Sequence, residues 1–211
     1  MIYKIIVKII LRSHTFFYRW SGFFSGKAEG GVHPKHRLTN YHKFFIDNVE
    51  PNDTVLDIGC GKGELTFDLA KKAKNVVGVD FNEKSINLAK NKFSAFNIKY
   101  FLGDVTKDLP DQKFDVLVLS NVLEHIENRI EFLNKIKKLG NKILIRVPMI
   151  NRDWITLYKK ELGLEWRLNR GHFTEYTLES FKKEIEQAGL FIQDYSVQFG
   201  EIWAVIKKYE Q

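Results

Sequence analysis

The stretch Val55-Leu56-Asp57-Ile58-Gly59-Cys60-Gly61-Lys62-Gly63 decides the fold of this 211-residue chain. Val55, Leu56 and Ile58 form an apolar run of strand length, with Asp57 near its end. Three glycines follow at alternate positions, and helical periodicity begins at Glu64. An apolar run that passes through glycine into a helix describes a buried parallel strand turning tightly. Glycine permits positive φ and lets a ligand approach the backbone. The helix start offers unpaired N–H groups to a polar ligand. Dinucleotide-binding folds use a related turn, spaced Gly-x-Gly-x-x-Gly. Here the spacing is Asp-x-Gly-x-Gly-x-Gly, and an acid at that strand end suits a ligand ammonium.

Working outward, Asn75 to Phe81 reads as a second buried strand ending in Asp80. An acid about twenty residues beyond a glycine turn suits a bidentate contact to ribose hydroxyls. Glu83–Phe93 is helical in period through Ile86, Leu88, Ala89 and Phe93. A third strand leads into Gly103-Asp104-Val105. A fourth, Phe114 to Ser120, opens onto Asn121-Val122-Leu123-Glu124-His125.

In this order the motifs resemble those of class I S-adenosylmethionine-dependent methyltransferases, from about Asn52 to Val147 and more weakly to Ala204. The resemblance implies an α/β, Rossmann-like fold: a seven-stranded, mostly parallel sheet with one antiparallel strand and helices on both faces. It implies S-adenosyl-L-methionine as cofactor, bound outside the carboxyl ends of the strands. Carried over residue by residue, it sets the cofactor against Asp57, Gly59, Cys60 and Gly61 of the first turn. Asp80 then meets the ribose and Phe81 flanks the adenine. Gly103, Asp104 and Val105 surround the adenine amino group, and Ser120 closes the fourth strand end. Gly63 serves close helix–strand packing. Cys60 is the sole cysteine; it reads as a small turn residue rather than a nucleophile, and it leaves no intramolecular disulfide.

His33-Pro34-Lys35-His36-Arg37 precedes the first core helix. This pattern is similar to that of methyltransferases of bacterial surface polysaccharide pathways, where the region folds over the cofactor. Arg37 suits a bidentate contact to the cofactor carboxylate, with His36 and Tyr41 on the sulfonium side.

A hydroxyl acceptor needs a proton acceptor, and histidine serves near neutral pH. His125 follows the fourth strand directly, and Glu124-His125 resembles the pair of ubiquinone-pathway O-methyltransferases. His172 lies in Arg170-Gly-His-Phe-Thr-Glu-Tyr176, beyond the fifth strand and an inserted helical segment. Both are taken as catalytic. Glu124, His125 and His172 are of metal-ligating types, but Asn121 supplies no further carboxylate and hard divalent ions prefer oxygen ligands; no metal is assigned. Trp154, Tyr158 and Trp166, with Arg146, Arg152, Arg167 and Arg170, fall on the acceptor side, where rings stack on sugars and guanidinium groups clamp anions.

The charge is placed unevenly. Residues 1–37 contribute +6 of the formal net +7, so the remainder is nearly neutral. That placement argues against a nucleic-acid substrate, which calls for a basic patch around the cleft. Ile2, Ile5, Ile6, Ile9 and Ile10 share one helical stripe within Met1–Leu11, Lys4, Lys8 and Arg12 another, and aromatic residues follow to Phe24. The run is too short and too charged to span a bilayer, and it has no signal-peptide pattern. It fits a cap over the active site or an amphipathic element on an anionic membrane surface. A glycine-rich, linker-like stretch at Gly22–Val32 separates this extension, residues 1–32, from the methyltransferase domain, residues 33–211. The expected protein is a cytoplasmic enzyme that O-methylates a sugar or glycan precursor, with residues 1–24 as a cap over the active site or, alternatively, a peripheral membrane contact. A small aromatic or quinone-like acceptor, or a non-catalytic cofactor-binding adaptor, are the alternatives. Its oligomeric state is not legible.

Expected helices are Arg37–Val49, Glu64–Lys74, Glu83–Phe93, Arg129–Leu139 and Leu178–Ala188. Expected strands are Thr54–Ile58, Val76–Asp80, Ile98–Leu102, Phe114–Leu119, Lys142–Val147 and a terminal hairpin of Phe191–Val197 with Glu201–Ile206.

Overall fold

The computed structural model describes residues 2–107 and 110–209. Met1, at the start of the expected amphipathic segment, lies outside them. The chain opens with a long helix α1 (Ile2–Ala28) and two short ones, α2 (Lys35–Thr39) and α3 (Tyr41–Asp47). Strand and helix then alternate: β1 (Thr54–Ile58), α4 (Glu64–Ala70), β2 (Asn75–Asp80), α5 (Glu83–Lys92) and β3 (Ile98–Leu102). β4 (Phe114–Ser120), α6 (Arg129–Ile136) and β5 (Gly140–Pro148) follow, then α7 (Trp154–Glu161) and α8 (Leu178–Gln187). A hairpin of β6 (Leu190–Gln198) and β7 (Glu201–Lys208) ends the fold.

The seven strands lie in the order β3-β2-β1-β4-β5-β7-β6, with β7 antiparallel to both neighbours. β1 pairs in parallel with β2 on one side and β4 on the other, Leu56 facing Val77 and Leu117. The strand order reverses there, so the connecting loops part and leave a crevice at the carboxyl ends. Successive β1 residues feed opposite cores. Leu56 and Ile58 pack with Phe132 and Leu133 of α6 and Phe181 of α8. Val55 packs with Tyr41 and Phe45 of α3 and Leu65 and Leu69 of α4. Burial on both faces is why this strand reads as a continuous apolar run.

Local chemistry sets the ends of α8. The Thr177 hydroxyl accepts from the Ser180 amide at 3.1 Å, the Ser180 hydroxyl accepts from the Thr177 amide at 2.9 Å, and Gly189 (φ +66°) closes the helix.

Two expectations need correction. The helix foreseen at Arg37–Val49 is α2 and α3, broken at Asn40, whose φ of 48° is left-handed. The linker foreseen at Gly22–Val32 is helical through Ala28 and ends only at Gly30 and Gly31, both at positive φ. Aromatic neighbours carry the helix through its glycines, with the Trp20 and Phe24 rings 5.3 Å apart. Gly22 meets the His33 ring, where an added Cβ would lie 3.3 Å from Nε2.

Candidate active site

The crevice beyond β1, β2, β3 and β4 holds a cavity of about 540 Å³, within the roughly 300–1,000 Å³ usual for small-molecule sites. Its wall includes Gly59, Asp80, Phe81, Gly103, Asp104 and Val105, all expected from sequence. The opposite wall is Asn121, Val122, His125 and Gly171.

The glycine turn is built for close approach. Gly59 has φ +69°, and an added Cβ would fall 2.6 Å from Val122 Cγ2. The amides of Gly59 and Cys60 both donate to the Val79 carbonyl, at 2.8 and 3.1 Å. Gly61 donates its amide to Asp80 Oδ2 at 2.9 Å, and Asn82 donates to Asp80 Oδ1 at 2.8 Å. Each Asp80 oxygen retains a second lone pair, and the residue lines the cavity. At Gly63 an added Cβ would strike the Tyr100 hydroxyl and Ala89, so this glycine serves packing.

Asp104 accepts from the Thr106 amide and hydroxyl, at 3.0 and 2.6 Å, and pairs with Lys107 at 2.9 Å. The Thr106 and Lys107 bonds hold its carboxyl down at about 2. Phe81 is 77% exposed at the rim, a free ring face for a flat base.

Other expected residues stand away from the cavity wall. Asp57 is buried behind the turn, where its Oδ2 accepts from the Thr66 hydroxyl at 2.6 Å, and burial raises its pKa to about 7. It supports the turn from beneath. Cys60 is buried, and burial pushes its thiol pKa up, which suits a packing role. Ser120 pairs with Arg146 in the β4–β5 ladder. Arg37 is exposed and bound to Glu29 at 2.9 Å, so it holds the end of α1 rather than a carboxylate in the cavity. Tyr41 is buried beneath the Arg146 guanidinium, 3.6 Å from its ring centroid, and bonds His36 at 3.1 Å.

The two expected catalytic histidines are brought together from opposite parts of the chain. His125 ends a 3₁₀ turn, Leu123–His125, directly after β4. The Phe173 amide donates to the Glu124 carbonyl at 2.8 Å, which draws residues 171–174 against that turn. The His125 and His172 ring centroids are 4.6 Å apart and nearly perpendicular. His125 Nδ1 lies 3.2 Å from the Gly171 carbonyl and His172 Nδ1 2.9 Å from Glu175 Oε1. Both partners accept, so each Nδ1–H donates, and in a neutral ring the lone pair is then on Nε2. Burial, with His172 alongside, lowers the His125 pKa.

Glu124 is fully buried beside them. Its Oε1 accepts from Asn121 Nδ2 at 2.8 Å, Oε2 has no hydrogen-bond partner among the described residues, and burial raises the pKa to about 7. One ligating atom from each of Glu124, His125 and His172 lies within 4.8 Å of the others. Such a trio can pass a proton or hold a divalent ion.

Sequence reasoning missed Asn121 and Glu175. Asn121 has φ 59° and turns the chain into the cavity wall. Glu175 is buried and joins His172, the Leu168 amide and Arg152. The spacing His172-x-x-Glu175 was its signal. Most of the arginines foreseen as acceptor clamps bind protein instead. Arg152 also donates to the Met149 and Trp166 carbonyls, both at 2.8 Å. Arg167 bonds Glu165 at 2.9 Å and the His172 carbonyl at 3.0 Å, while Arg146 is buried.

Residues 49–162 match a family model described as a methyltransferase domain. The probable cobalt-precorrin-6B C(15)-methyltransferase (decarboxylating) of Methanococcus maripaludis is 38% identical over 122 residues, covering 55% of this chain and 65% of that protein. The ubiquinone biosynthesis O-methyltransferase of Coxiella burnetii is 35% identical over 123 residues, covering 54% of this chain and 51% of that protein. The chain spans about half to two-thirds of the length of these relatives. A solved S-adenosylmethionine-dependent methyltransferase from Clostridium acetobutylicum has a TM-score of 0.65 at 15% identity, covering 91% of this chain and 98% of that one, a likeness of fold.

Proposed function

The chain belongs to the methyltransferase-domain family, and on that premise we propose that it transfers the methyl group of S-adenosyl-L-methionine to a hydroxyl of a sugar or glycan precursor. The cavity fits that cofactor. Gly59 lines the cavity with bare backbone and Gly61 has open space where a Cβ would stand, Asp80 offers carboxylate oxygens, and Asp104 and Phe81 supply an acceptor and a ring face. S-adenosyl-L-methionine supplies an electrophilic methyl sulfonium when bound. Asp80 holds ribose hydroxyls, and Asp104 accepts from the adenine amino group.

The observation that carries O-methylation is His125 on the cavity wall, its Nδ1 tied to the Gly171 carbonyl and its ring packed edge-on against the buried His172. His125 lines the cavity and takes the acceptor's hydroxyl proton as the new O–CH₃ bond forms. The sulfur keeps the electron pair of the broken S–CH₃ bond. His172, buried and held by Glu175, positions the His125 ring against which it packs. Alignment of the nucleophile behind the methyl carbon supplies much of the acceleration.

A second reading, methylation of a quinone-like or other small cyclic molecule, is favoured by the printed names of the curated relatives. Titration of the full chain with S-adenosylhomocysteine tests the cofactor assignment, and micromolar binding is expected. Methyl transfer to sugar nucleotides and glycolipids, against catechols and quinols under the same conditions, then separates the two acceptor classes. Product formed only with the latter overturns the glycan reading.

A further inference from the structure

Helix α1 meets the rest of the chain through one face. Leu11 is buried, the Thr15 hydroxyl accepts from Lys159 Nζ at 2.9 Å, and Gly22 lies against His33. At 3.6 residues per turn these three positions share one side. The opposite side is apolar from Ile2 to Phe24 apart from Ser13. Ile2, Ile5, Ile6, Ile9 and Ile10 continue there into Phe16, Phe17, Trp20, Phe23 and Phe24, each between 44% and 65% exposed. A helix in water buries its apolar face and exposes its polar one. Here the face of Leu11, Thr15 and Gly22 is docked and the apolar stripe turns outward. A continuous exposed patch of this kind marks an interaction surface.

The charge selects the occupant. α1 carries Lys4, Lys8, Arg12, Arg19 and Lys27 and no acidic residue. Lys8, Arg12 and Arg19 lie on one flank between the docked face and the stripe, and Lys4 lies in line with the docked face. A second copy of α1 would bring like charges together along that flank, whereas anionic headgroups neutralise them. No helix among the described residues is long and apolar enough to cross a membrane, and an in-plane helix needs only one apolar face. We propose that α1 lies along an anionic lipid surface, with its isoleucine and aromatic stripe at the acyl boundary and its basic flank among the phosphates.

The test is sedimentation of the full chain with vesicles of phosphatidylcholine alone and of phosphatidylcholine with about one-third phosphatidylglycerol. Binding to the anionic vesicles is expected, with at least roughly tenfold weaker binding to the neutral ones. Ile6→Glu with Phe17→Glu is expected to abolish it while far-UV circular dichroism and the melting temperature stay unchanged, because both side chains are exposed. Lys8→Gln with Arg12→Gln is expected to weaken it roughly tenfold on anionic vesicles alone. No sedimentation at either composition overturns the proposal. So does concentration-dependent dimerisation, seen by ultracentrifugation, that the stripe variant dissolves while vesicle binding persists.

Discussion

The carboxylate of Glu175 accepts from His172 Nδ1 at 2.9 Å, and the same residue receives the Leu168 amide and the Arg152 guanidinium. One buried acid therefore holds the second histidine by its Nδ1 and ties it to Leu168 and Arg152. Replacing it by glutamine keeps the volume but removes the obligate acceptor. Glu175→Gln is expected to lower kcat about ten- to a hundredfold with S-adenosylhomocysteine affinity unchanged. A parallel loss of cofactor affinity would assign Glu175 to folding of the site as a whole.

Asp80 is held by two backbone amides before any ligand arrives. Asp80→Ala should weaken S-adenosylhomocysteine binding by about 2–3 kcal/mol, roughly a hundredfold, with the melting temperature little changed. Calorimetric titration reads this directly. Wild-type affinity in the variant removes the ribose assignment.

At Gly59 both torsion and space matter. Gly59→Ala puts a Cβ at φ +69° and 2.6 Å from Val122 Cγ2. We expect stability to fall by about 1–3 kcal/mol, with weaker cofactor binding. Adding Val122→Ala should recover only the part due to crowding. Full recovery in the double variant would show that the backbone torsion costs nothing.

Glu124 couples stability to pH. Its folded pKa of about 7 lies above the ordinary value of 4.5 because burial disfavours the anion. The folded state thus binds more protons than the unfolded one between these values, and this stabilisation fades as pH rises through about 7. Glu124→Gln retains an acceptor for Asn121 and cannot ionise. Its melting temperature should match wild type near pH 5 and exceed it near pH 8. Identical pH profiles for the two proteins would exclude this coupling.

Chelation separates the two uses open to the trio of Glu124, His125 and His172. Methyl transfer through the histidines as bases is expected to survive exhaustive dialysis against EDTA, with the acid limb of kcat/KM below about 6.5 because the His125 pKa is lowered. Activity lost on dialysis and restored by Mn²⁺ would reassign the three side chains to an ion.

What the sequence determined by itself is local. An apolar run closed by Asp57-x-Gly59-x-Gly61-x-Gly63 specifies a strand–turn–helix unit because few residues other than glycine tolerate those torsions. β1 and β3 begin and end where periodicity placed them, and the repeated strand-then-acid pattern set Asp80 and Asp104 on one cavity wall. Tertiary structure decided what depends on distant partners. The Asp57 carboxyl faces Thr66 and Arg37 faces Glu29, since a side chain's nearest polar partner is chosen by packing, not by its motif. His125 meets His172 only because the segment after α7 folds back on the 3₁₀ turn. The direction of α1 was likewise hidden. Its pattern announced an amphipathic helix, but which face would dock depended on where Leu11, Thr15 and Gly22 found neighbours.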